Sequence, residues 1–483
     1  MAVLTVGAQN THAQSGSWNG GTGNWNVSSN WTSSPPPNVV PNSPSTDVSI
    51  TGTSTTASVV TLDSLSASVH NLSLDQYSTL SIQGSQNLYI YGSSIANAGQ
   101  IQAGNDVDIL LVGSGAPFNL TGGGTVGLGA SNSYIGGHYG TETLVNQGNT
   151  IEGQGSIKYL GSFQNQGTVN ANVSGGTLEI NEVTTTNTGT LQATGGGTLF
   201  INSSTVNNAG GTISAGPSST VSFYGATING GNLTSVGSGV IQGLFNDTLN
   251  GVTITSGTTY SLNNNNTYLT GDLTNKGTII VGNSSNSSAL LADINNGTIN
   301  LSGGGTITLN NAGSILGGVN GTETLIQGQG SIKTLGSFQN QATVNANVSG
   351  GTLEINTINN VTNTGTLMAT GGGTLYINSS TVNNAGGTIS AGPSSTVTFT
   401  GATINGGNLT SVGSGVIQGL FNDTLNGVTI TSGTTYFLNT NNTGSSGGSV
   451  QALKKVDVLA QSVVGSIILF RLETQHVHQL VVP

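Results

Sequence analysis

Short runs of alternating apolar and polar residues, each bounded by Gly, Asn or Ser, follow one another through most of the chain. The run Thr-Leu-Glu-Ile-Asn at 177–181 is typical. Alternation with a period of two predicts half-buried strands, and the residues between the runs predict turns. Helical spacing of apolar residues is missing from all of residues 16–445. The pattern therefore predicts an all-β protein built from many short strands.

The predicted strands recur at a short and regular spacing. Apolar residues at equivalent positions are 20 to 22 residues apart and form two series that run out of phase with each other. The first series is Val169, Leu191, Ile213, Leu233 and Ile254, and it returns as Val344, Leu367, Ile389, Leu409 and Ile430. The second is Leu178, Leu199, Val221, Val240 and Tyr260, and it returns as Leu353, Leu375, Val397, Val416 and Tyr436. We expect both series to point into one core.

A much longer duplication contains these series. The segment from Ser174 to Asn181 recurs as Ser349 to Asn356, and residues 119–262 as a whole recur as residues 300–438. We call residues 119–262 copy one and residues 300–438 copy two. Because the two copies carry nearly the same outward residues, we expect a ligand of one copy to fit the other as well.

A period of 20–22 residues with two or more strands is typical of a parallel β-solenoid. We predict a single-stranded, right-handed parallel β-solenoid (β-helix) of about 19 coils. Gly and Asn are expected at the corners, where they adopt positive φ at little cost, and stacked Asn side chains are expected to hydrogen-bond from coil to coil. A propeller blade needs about 40–50 residues, and a sandwich array does not stack identical strands at this spacing.

Changes in composition divide the chain into four segments. Residues 1–15 are either a signal-peptide remnant or a flexible start, and residues 16–60 are a tryptophan-containing N-terminal cap. Residues 61–443 are the solenoid. Residues 444–483 are a Gly/Ser linker and a short tail, either disordered or helical over about 450–464, where apolar residues have helical spacing.

Composition excludes several classes of function. Charged residues are 5% of the chain, the formal net charge is −11, and Cys is absent. So few cations cannot neutralise a nucleic-acid backbone, and without Cys there is no disulfide scaffold, thiolate catalysis or Cys-ligated zinc. No stretch of 18 apolar residues predicts a membrane-spanning helix, so we expect no membrane insertion by this chain.

Two sets of motifs resemble a known group of exported proteins. The opening Trp18-Asn-Gly-Gly-Thr-Gly-Asn-Trp25, with Asp47-Val-Ser-Ile50, is similar to the start of bacterial autotransporter-like passenger proteins. Coil motifs such as Gly153-Gln-Gly-Ser-Ile157 and Asn165-Gln-Gly-Thr-Val169 resemble the coils of filamentous-haemagglutinin-like β-helical adhesins. The resemblance covers about residues 16–443. It implies a secreted or cell-surface rod, associated with the bacterial outer membrane, that acts as an adhesin or envelope component.

The charged and aromatic residues are the candidates for a functional site, and we predict no catalytic, cofactor-binding or metal-binding residues among them. Asp106 and Asp108 lack the further oxygen ligands of calcium loops. Duplicated charges at equivalent positions indicate solvated surface residues or corners rather than one active centre: Glu179 with Glu354, Lys158 with Lys333, and Asp247 with Asp423. His476 and His478 have no third ligand nearby in sequence. Trp18, Trp25 and Trp31 are predicted to cover the first coil, with a sugar platform as the alternative.

Together these observations favour an extracellular or cell-surface β-helical rod that is an adhesin or a structural component and not an enzyme. The expected partners are surface glycans or matrix proteins, and further copies of the chain or of a longer parent chain. A glycan-degrading β-helix enzyme or depolymerase is the alternative, and it requires two or three carboxylates, or one beside a Lys, within about 10 Å on one face. An ice-binding solenoid is the second alternative, and it requires Thr-x-Thr on consecutive coils.

Overall fold

The computed structural model describes residues 14–34, 39–113, 115–263, 265–283, 289–293, 299–317, 319–321, 324–333, 337–356 and 360–439, and the strand residues 451–452, 457–461 and 467–471. The chain forms two compact units, residues 1–221 and residues 222–483. No helix in the described residues is long and apolar enough to cross a membrane.

Unit one contains a single described helix, the 3₁₀ turn Ser28–Asn30, and otherwise short strands. These are β1 (Gln14–Trp18), β2 (Thr22–Asn24), β3 (Trp31–Ser34), β4 (Thr46–Ile50), β5 (Ser58–Leu62), β6 (Ala67–Val69), β7 (Leu72–Leu74), β8 (Ser78–Ile82), β9 (Leu88–Ile90), β10 (Ser94–Asn97), β11 (Gln100–Ala103), β12 (Asp108–Leu111), β13 (Phe118–Thr121), β14 (Thr125–Gly137), β15 (Thr143–Asn146), β16 (Thr150–Lys158), β17 (Ser162–Asn165), β18 (Thr168–Ala171), β19 (Thr177–Asn181), β20 (Thr185–Asn187), β21 (Thr190–Ala193), β22 (Thr198–Asn202), β23 (Thr205–Asn207) and β24 (Thr212–Ala215).

The division between the units falls within β25 (Thr220–Tyr224). The strands of unit two are β26 (Thr227–Asn229), β27 (Asn232–Ser235), β28 (Val240–Gly243), β29 (Asp247–Asn250), β30 (Thr253–Ile254), β31 (Thr259–Leu262), β32 (Asn266–Leu269), β33 (Leu273–Asn275), β34 (Thr278–Val281), β35 (Ala289–Asp293), β36 (Ile299–Ser302), β37 (Thr306–Leu309), β38 (Ser314–Gly317), β39 (Val319–Gly321), β40 (Leu325–Gly328), β41 (Gly330–Lys333), β42 (Ser337–Asn340), β43 (Thr343–Ala346), β44 (Thr352–Asn356), β45 (Asn360–Asn363), β46 (Thr366–Ala369), β47 (Thr374–Asn378), β48 (Thr381–Asn383), β49 (Thr388–Ala391), β50 (Thr396–Thr400), β51 (Thr403–Asn405), β52 (Asn408–Ser411), β53 (Val416–Gly419), β54 (Thr424–Asn426), β55 (Thr429–Ile430), β56 (Thr435–Asn439), β57 (Gln451–Ala452), β58 (Asp457–Gln461) and β59 (Ile467–Arg471).

Each unit is a parallel β-solenoid, which confirms the predicted fold class. In unit one, a strand of one coil pairs with the equivalent strand of the next in three ladders, which begin at β1, β2 and β6. In unit two the ladders begin at β26, β27 and β28. The described residues form about 17 turns, against the 19 expected from the sequence. The ladders hold the coils together, and their inward residues form the core.

The core combines stacked aliphatic side chains with a column of buried asparagines. The side-chain amide of Asn165 donates to Asn187 Oδ1 at 2.8 Å, and that of Asn187 donates to Asn208 Oδ1 at 2.6 Å. Copy two repeats this arrangement, with Asn340 donating to Asn363 at 2.7 Å. These bonds confirm the predicted asparagine stacking. Each of these amide N–H groups donates to the next coil, so the column satisfies donors that are fully buried.

The two predicted core series hold except at one equivalent position in each copy. Val240 and Val416 point outward, and the neighbouring Ile241 and Ile417 are fully buried. Ile241 pairs with the buried Tyr260, which sets the register of its strand. Two adjacent apolar residues satisfy an alternating pattern in either register, and the pairing with the next coil selects between them.

Glycine is required where the chain turns sharply against the coil below. Gly153 has φ of 109°, and a Cβ there would lie 2.1 Å from the carbonyl oxygen of Leu128. Its equivalent in copy two, Gly328, has φ of 113° and the same relation to Leu309 at 2.0 Å. The duplicated Gly-Gln-Gly motif is therefore a corner that only glycine fits.

The three tryptophans pack together at the start of unit one. The Trp31 ring lies 4.9 Å from that of Trp18 and 4.7 Å from that of Trp25, in edge-to-face arrangements. The indole N–H of Trp25 donates to Pro41 O at 3.1 Å, and that of Trp31 donates to Trp25 O at 2.7 Å. Trp25 and Trp31 are fully buried and Trp18 nearly so. Their ring faces are therefore closed to a sugar.

The C-terminal segment differs from the predicted helix over about 450–464. Two strands, β57 and β58, lie in that range, and β58 pairs in parallel with β56 and antiparallel with β59. The open edge of the last coil supplies partners for an extended chain, and the β-branched Val458 favours strand over helix. The signal-peptide prediction for residues 1–15 falls almost entirely outside the described residues.

Sequence-equivalent strands of the two copies do not occupy the same ladder in unit two. β28 carries Val-Ile-Gln-Gly in copy one, and β53 carries the same four residues in copy two. The ladder of β28 continues through β31, β34 and β37 to β49 and β52. β53 instead lies in the ladder that begins with β26 and β29. The duplication therefore returns the same sequence on a different face of this solenoid.

Candidate functional site

A cluster of polar and aromatic side chains forms on the outer surface of unit one, where β12, β14 and β16 lie side by side. Asp108 stands opposite Tyr134, and Gly136 stands opposite Lys158. Outward residues of neighbouring parallel strands lie about 4.8 Å apart, so these side chains come together although they are distant in sequence. We call Asp108, Tyr134, Lys158 and Tyr159 the tyrosine–lysine patch.

The lysine of the patch interacts with both tyrosine rings. Lys158 Nζ lies 4.3 Å from the centroid of the Tyr134 ring and 5.0 Å from that of Tyr159. The two rings are 5.7 Å apart and nearly perpendicular, at 86°. Both lysine distances are within the range of cation–π attraction. Tyr159 is nevertheless 58% exposed, so aromatic surface stays open to solvent.

The polar groups of the patch hold defined protonation states. Burial raises the pKa of the Tyr134 phenol, and the Asp108 carboxylate raises it further. The phenol is therefore neutral near pH 7 and stands beside the Asp108 carboxylate on the neighbouring strand. Burial also raises the pKa of Asp108, against the opposing effects of the Tyr134 phenol and of Lys158. The patch thus combines a donor, an acceptor and an ammonium beside two rings.

Two backbone features support the geometry of the patch. A Cβ at Gly136 would lie 2.2 Å from Lys158 O and 3.1 Å from Cδ2 of the Tyr134 ring, so glycine leaves the space that this ring needs. Tyr159 has φ of 56°, a region that bulky residues seldom adopt. The strand pairing also shifts register between Gly129 and Tyr134, immediately before the first ring. Such bulges redirect side chains next to functional sites.

Further aromatic residues lie beside the patch. The rings of His138 and Tyr139 are 4.7 Å apart, and those of His138 and Tyr89 are 6.3 Å apart. Tyr139 is 66% exposed. On the other side Asp106 accepts hydrogen bonds from the side-chain amides of Asn105 and Asn132. Aromatic and polar groups therefore extend beyond the four residues of the patch.

Copy two does not reproduce the patch. Ile315 pairs with Ser331 as Tyr134 pairs with Ser156, and Leu290 pairs with Ile315 as Asp108 pairs with Tyr134. The lysine is retained as Lys333, and the residue after it is Thr334 instead of tyrosine. The two lysines are equivalent in sequence, but only Lys158 lies between tyrosine rings in the described residues.

The other sequence candidates have structural contacts. Glu179 and Glu354 each accept a hydrogen bond from an asparagine of the next coil, at 2.9 and 3.0 Å. Asp247 caps a corner, as predicted, by accepting the backbone N–H of Ala226 at 3.0 Å, and Asp423 does the same for Ala402. The burial of both aspartates was not predicted, because nothing in the local sequence signals it.

The histidines contribute no site of three ligands. His70 Nδ1 lies 2.8 Å from Asp47 Oδ1, next to a depression of about 300 Å³ that Asp47 helps to line. Within the described residues no three His, Asp or Glu side chains come together in a way that could hold a metal ion. His12, His476 and His478 lie outside the described residues.

A column of threonines runs along one outer face of unit one. Its members pair in sequence from β14 to β24 and are Thr125, Thr150, Thr168, Thr190 and Thr212. The neighbouring outward column is Gly127, Glu152, Asn170, Gln192 and Ser214. Single threonines are thus on consecutive coils, but the Thr-x-Thr pairs that ice binding requires are not present in this column.

Comparison with known proteins gives a distant structural likeness and no likeness in sequence. No family model matches the chain, and no curated protein matches it in sequence. Among solved structures it is similar to a TibA fragment, residues 55–350, described as hyper-glycosylated by TibC, at 17% identity. The match covers 70% of this chain and 96% of that one, with a TM-score of 0.23.

Proposed function

We propose that this chain is a non-catalytic, adhesive β-solenoid that acts outside the cell, either secreted or on a bacterial surface. The single observation that carries the proposal is the tyrosine–lysine patch, where the exposed Tyr159 ring, the half-buried Tyr134 ring, a lysine and a carboxylate lie together on the outer face of a sheet. Exposed aromatic residues on a surface poor in charge are typical of binding surfaces. The resemblance of the coil motifs to exported β-helical passengers supports the location.

Four of the 17 acidic residues have contacts within the solenoid itself. Glu179 and Glu354 hold neighbouring coils together, and Asp247 and Asp423 are buried at corners. These contacts favour a structural role over catalysis for the four carboxylates. The expected partners are surface glycans or matrix proteins, because hydroxyl and amide groups dominate the outer surface and make hydrogen bonds that depend little on salt.

One observation favours a second candidate function, a glycan-degrading enzyme. Asp106 and Asp108 influence each other electrostatically, and Lys158 acts on Asp108. Carboxylates beside a lysine are the arrangement that polysaccharide cleavage requires. Asp106, however, accepts two amide hydrogen bonds from Asn105 and Asn132, which favours a structural role for this carboxylate.

A paired assay separates the two candidates. The purified full chain is added to immobilised epithelial cells and matrix proteins, and its retention is measured. The same preparation is incubated with a panel of polysaccharides, and both reducing ends and unsaturated uronates are followed. The adhesive proposal predicts retention without product. Product formation that Asp108→Asn abolishes would establish the second candidate, and neither retention nor product would overturn both.

A further inference from the structure

We propose that the tyrosine–lysine patch is a binding site for a neutral oligosaccharide, and that the equivalent positions in and just before copy two do not form such a site. The inference rests on the proposed adhesive function and names the ligand class and the residues that take it. Its support comes from the ring geometry, the polar groups beside the rings, the charge of the chain and the comparison of the two copies.

The rings provide the apolar surface that a sugar needs. The C–H face of a pyranose packs on an aromatic ring, while its hydroxyls stay at the edge and form hydrogen bonds. Tyr159 exposes 58% of its surface, and its ring stands at 86° to that of Tyr134. Two adjacent rings at this angle fit two consecutive sugar units whose planes differ. The φ of 56° at Tyr159 places the exposed ring next to Lys158.

The polar groups beside the rings match sugar hydroxyls. The Lys158 ammonium carries three N–H donors and lies within 5.0 Å of both ring centroids. The Asp108 carboxylate stands beside Tyr134 on the neighbouring strand and has lone pairs that can accept hydroxyl donors. A donor and an acceptor beside an aromatic face are the combination that orients a sugar ring.

Charge argues for a neutral ligand. The formal net charge of the chain is −11, and Asp106 and Asp108 accompany the lysine of the patch. A uronate polymer or a nucleic acid brings repeated negative charge to this acidic surface, where one ammonium beside two carboxylates does not compensate for it. A neutral hexose or N-acetylhexosamine chain meets no such repulsion.

The positions equivalent to the patch, in and just before copy two, carry different residues. This difference indicates which side chains of the patch would contact the ligand. Ile315 and Leu290 replace Tyr134 and Asp108, and Thr334 replaces Tyr159 in sequence, while Lys333 retains the charge. Binding that depended on the lysine alone, or on the outer surface common to both copies, would not require the tyrosines. Ile at position 134 is also a replacement that this solenoid already accommodates at an equivalent coil.

The test measures binding of the full chain to cellohexaose, chitohexaose and mannohexaose by isothermal titration calorimetry, with polygalacturonate as the anionic probe. The variants are Tyr134→Ile, Tyr134→Phe and Tyr159→Ser, since Ser203 adopts a similar φ of 47° at an equivalent corner. Tyr77→Ser, which removes another exposed tyrosine of unit one, is the matched control. Circular dichroism verifies that each variant keeps its strand content.

We expect at least one of the neutral hexasaccharides to bind and polygalacturonate not to bind. Tyr134→Ile and Tyr159→Ser should each weaken binding by roughly tenfold or more, which corresponds to the loss of one aromatic contact. Tyr134→Phe keeps the ring and should weaken it by only about twofold to threefold, and Tyr77→Ser should leave it unchanged.

Two results would overturn the proposal. One is binding of the neutral sugars that is unaffected by Tyr134→Ile and Tyr159→Ser. The other is the absence of any neutral-sugar binding, or a preference for polygalacturonate. If the wild-type chain adheres to cells or matrix proteins in either case, the adhesive function stands and only the assignment of the patch fails.

Discussion

We expect Asp247→Asn to change the stability of unit two in a pH-dependent way. The resistance of the variant to local opening, relative to that of the wild type, should be greater at neutral pH than at acidic pH. The carboxyl group of Asp247 is fully buried beside the Tyr260 phenol, and it accepts the backbone N–H of Ala226 at 3.0 Å. Burial raises its pKa to about 6, from an ordinary value of 3.8. Asn has the same shape and carries no charge to desolvate. It keeps one acceptor oxygen for the N–H of Ala226 and loses the oxygen that accepts the N–H of Phe245, a cost that does not depend on pH.

The size of the effect follows from the difference between the folded and unfolded pKa values. A folded pKa of about 6 means that the folded state binds the proton more tightly than the unfolded state does. The stabilisation from Asp247 is therefore complete below about pH 4 and is lost as pH rises to about 6. At 1.36 kcal/mol for each pH unit, the wild type loses about 2 kcal/mol between pH 4 and pH 7 that the Asn variant retains.

Hydrogen–deuterium exchange of β28, β29 and β31 measures this difference, because a solenoid opens locally and not as one cooperative unit. The ratio of protection factors between variant and wild type, taken at one pH, cancels the intrinsic exchange rate. That ratio should rise about 30-fold from pH 4 to pH 7. Asp272→Asn, at an exposed position of the same unit, is the control and should show no such rise. If the ratio of protection factors stays constant or falls as pH rises, the conclusion that burial of the charged Asp247 carboxylate destabilises unit two is refuted.

Three further substitutions test the core, the asparagine column and the corners by urea unfolding and local exchange. Ile213→Asp places an unpaired charge in the core and should destabilise its coil by about 3–5 kcal/mol, whereas Ser214→Asp on the outer face should change it by about 0.5 kcal/mol or less. Asn187→Ala breaks the column on both sides and should lower stability by about 2 kcal/mol or more, and an unchanged value would show that the column contributes nothing. Gly153→Ala drives a Cβ against Leu128 O and should lower stability by about 2 kcal/mol or more. Gly140→Ala is the control, because a Cβ there meets no atom within 4 Å, and equal destabilisation by both variants would contradict the prediction.

The solenoid could be predicted from sequence because its signal is repeated. Each strand carries a weak alternating pattern, and the recurrence every 20–22 residues makes the assignment firm even where one strand is ambiguous. At Val240 that ambiguity had a consequence, since Val240 and Ile241 both fit the pattern and the partner Tyr260 on the next coil decides between them. Register between coils is a tertiary property, and the local sequence does not contain it.

The patch could not be predicted from sequence for a related reason. Asp108, Tyr134 and Lys158 are separated by 26 and 24 residues, and only the pairing of β12, β14 and β16 brings them together. The register shift between Gly129 and Tyr134 breaks the regular period at this place, so counting coils does not align Tyr134 with its neighbours. The duplication argued against a functional site, because Lys158 and Lys333 are equivalent in sequence and duplicated charges indicate surface residues. The one usable signal was the loss of tyrosine at 315 and 334 in copy two.

The shift of ladder between β28 and β53 has a consequence for how this chain can engage an extended surface. β28 and β53 present identical residues on two different faces of unit two. A flat layer of ligands therefore contacts only one of these strands at a time, and the repeat does not simply strengthen attachment to that layer. β28 and β53 instead face different directions. For an adhesive protein this favours bridging: one face holds one surface while the equivalent residues stay open to another. Under the proposed adhesive function, the duplication would then serve to connect two surfaces, with one of the two equivalent strands facing each.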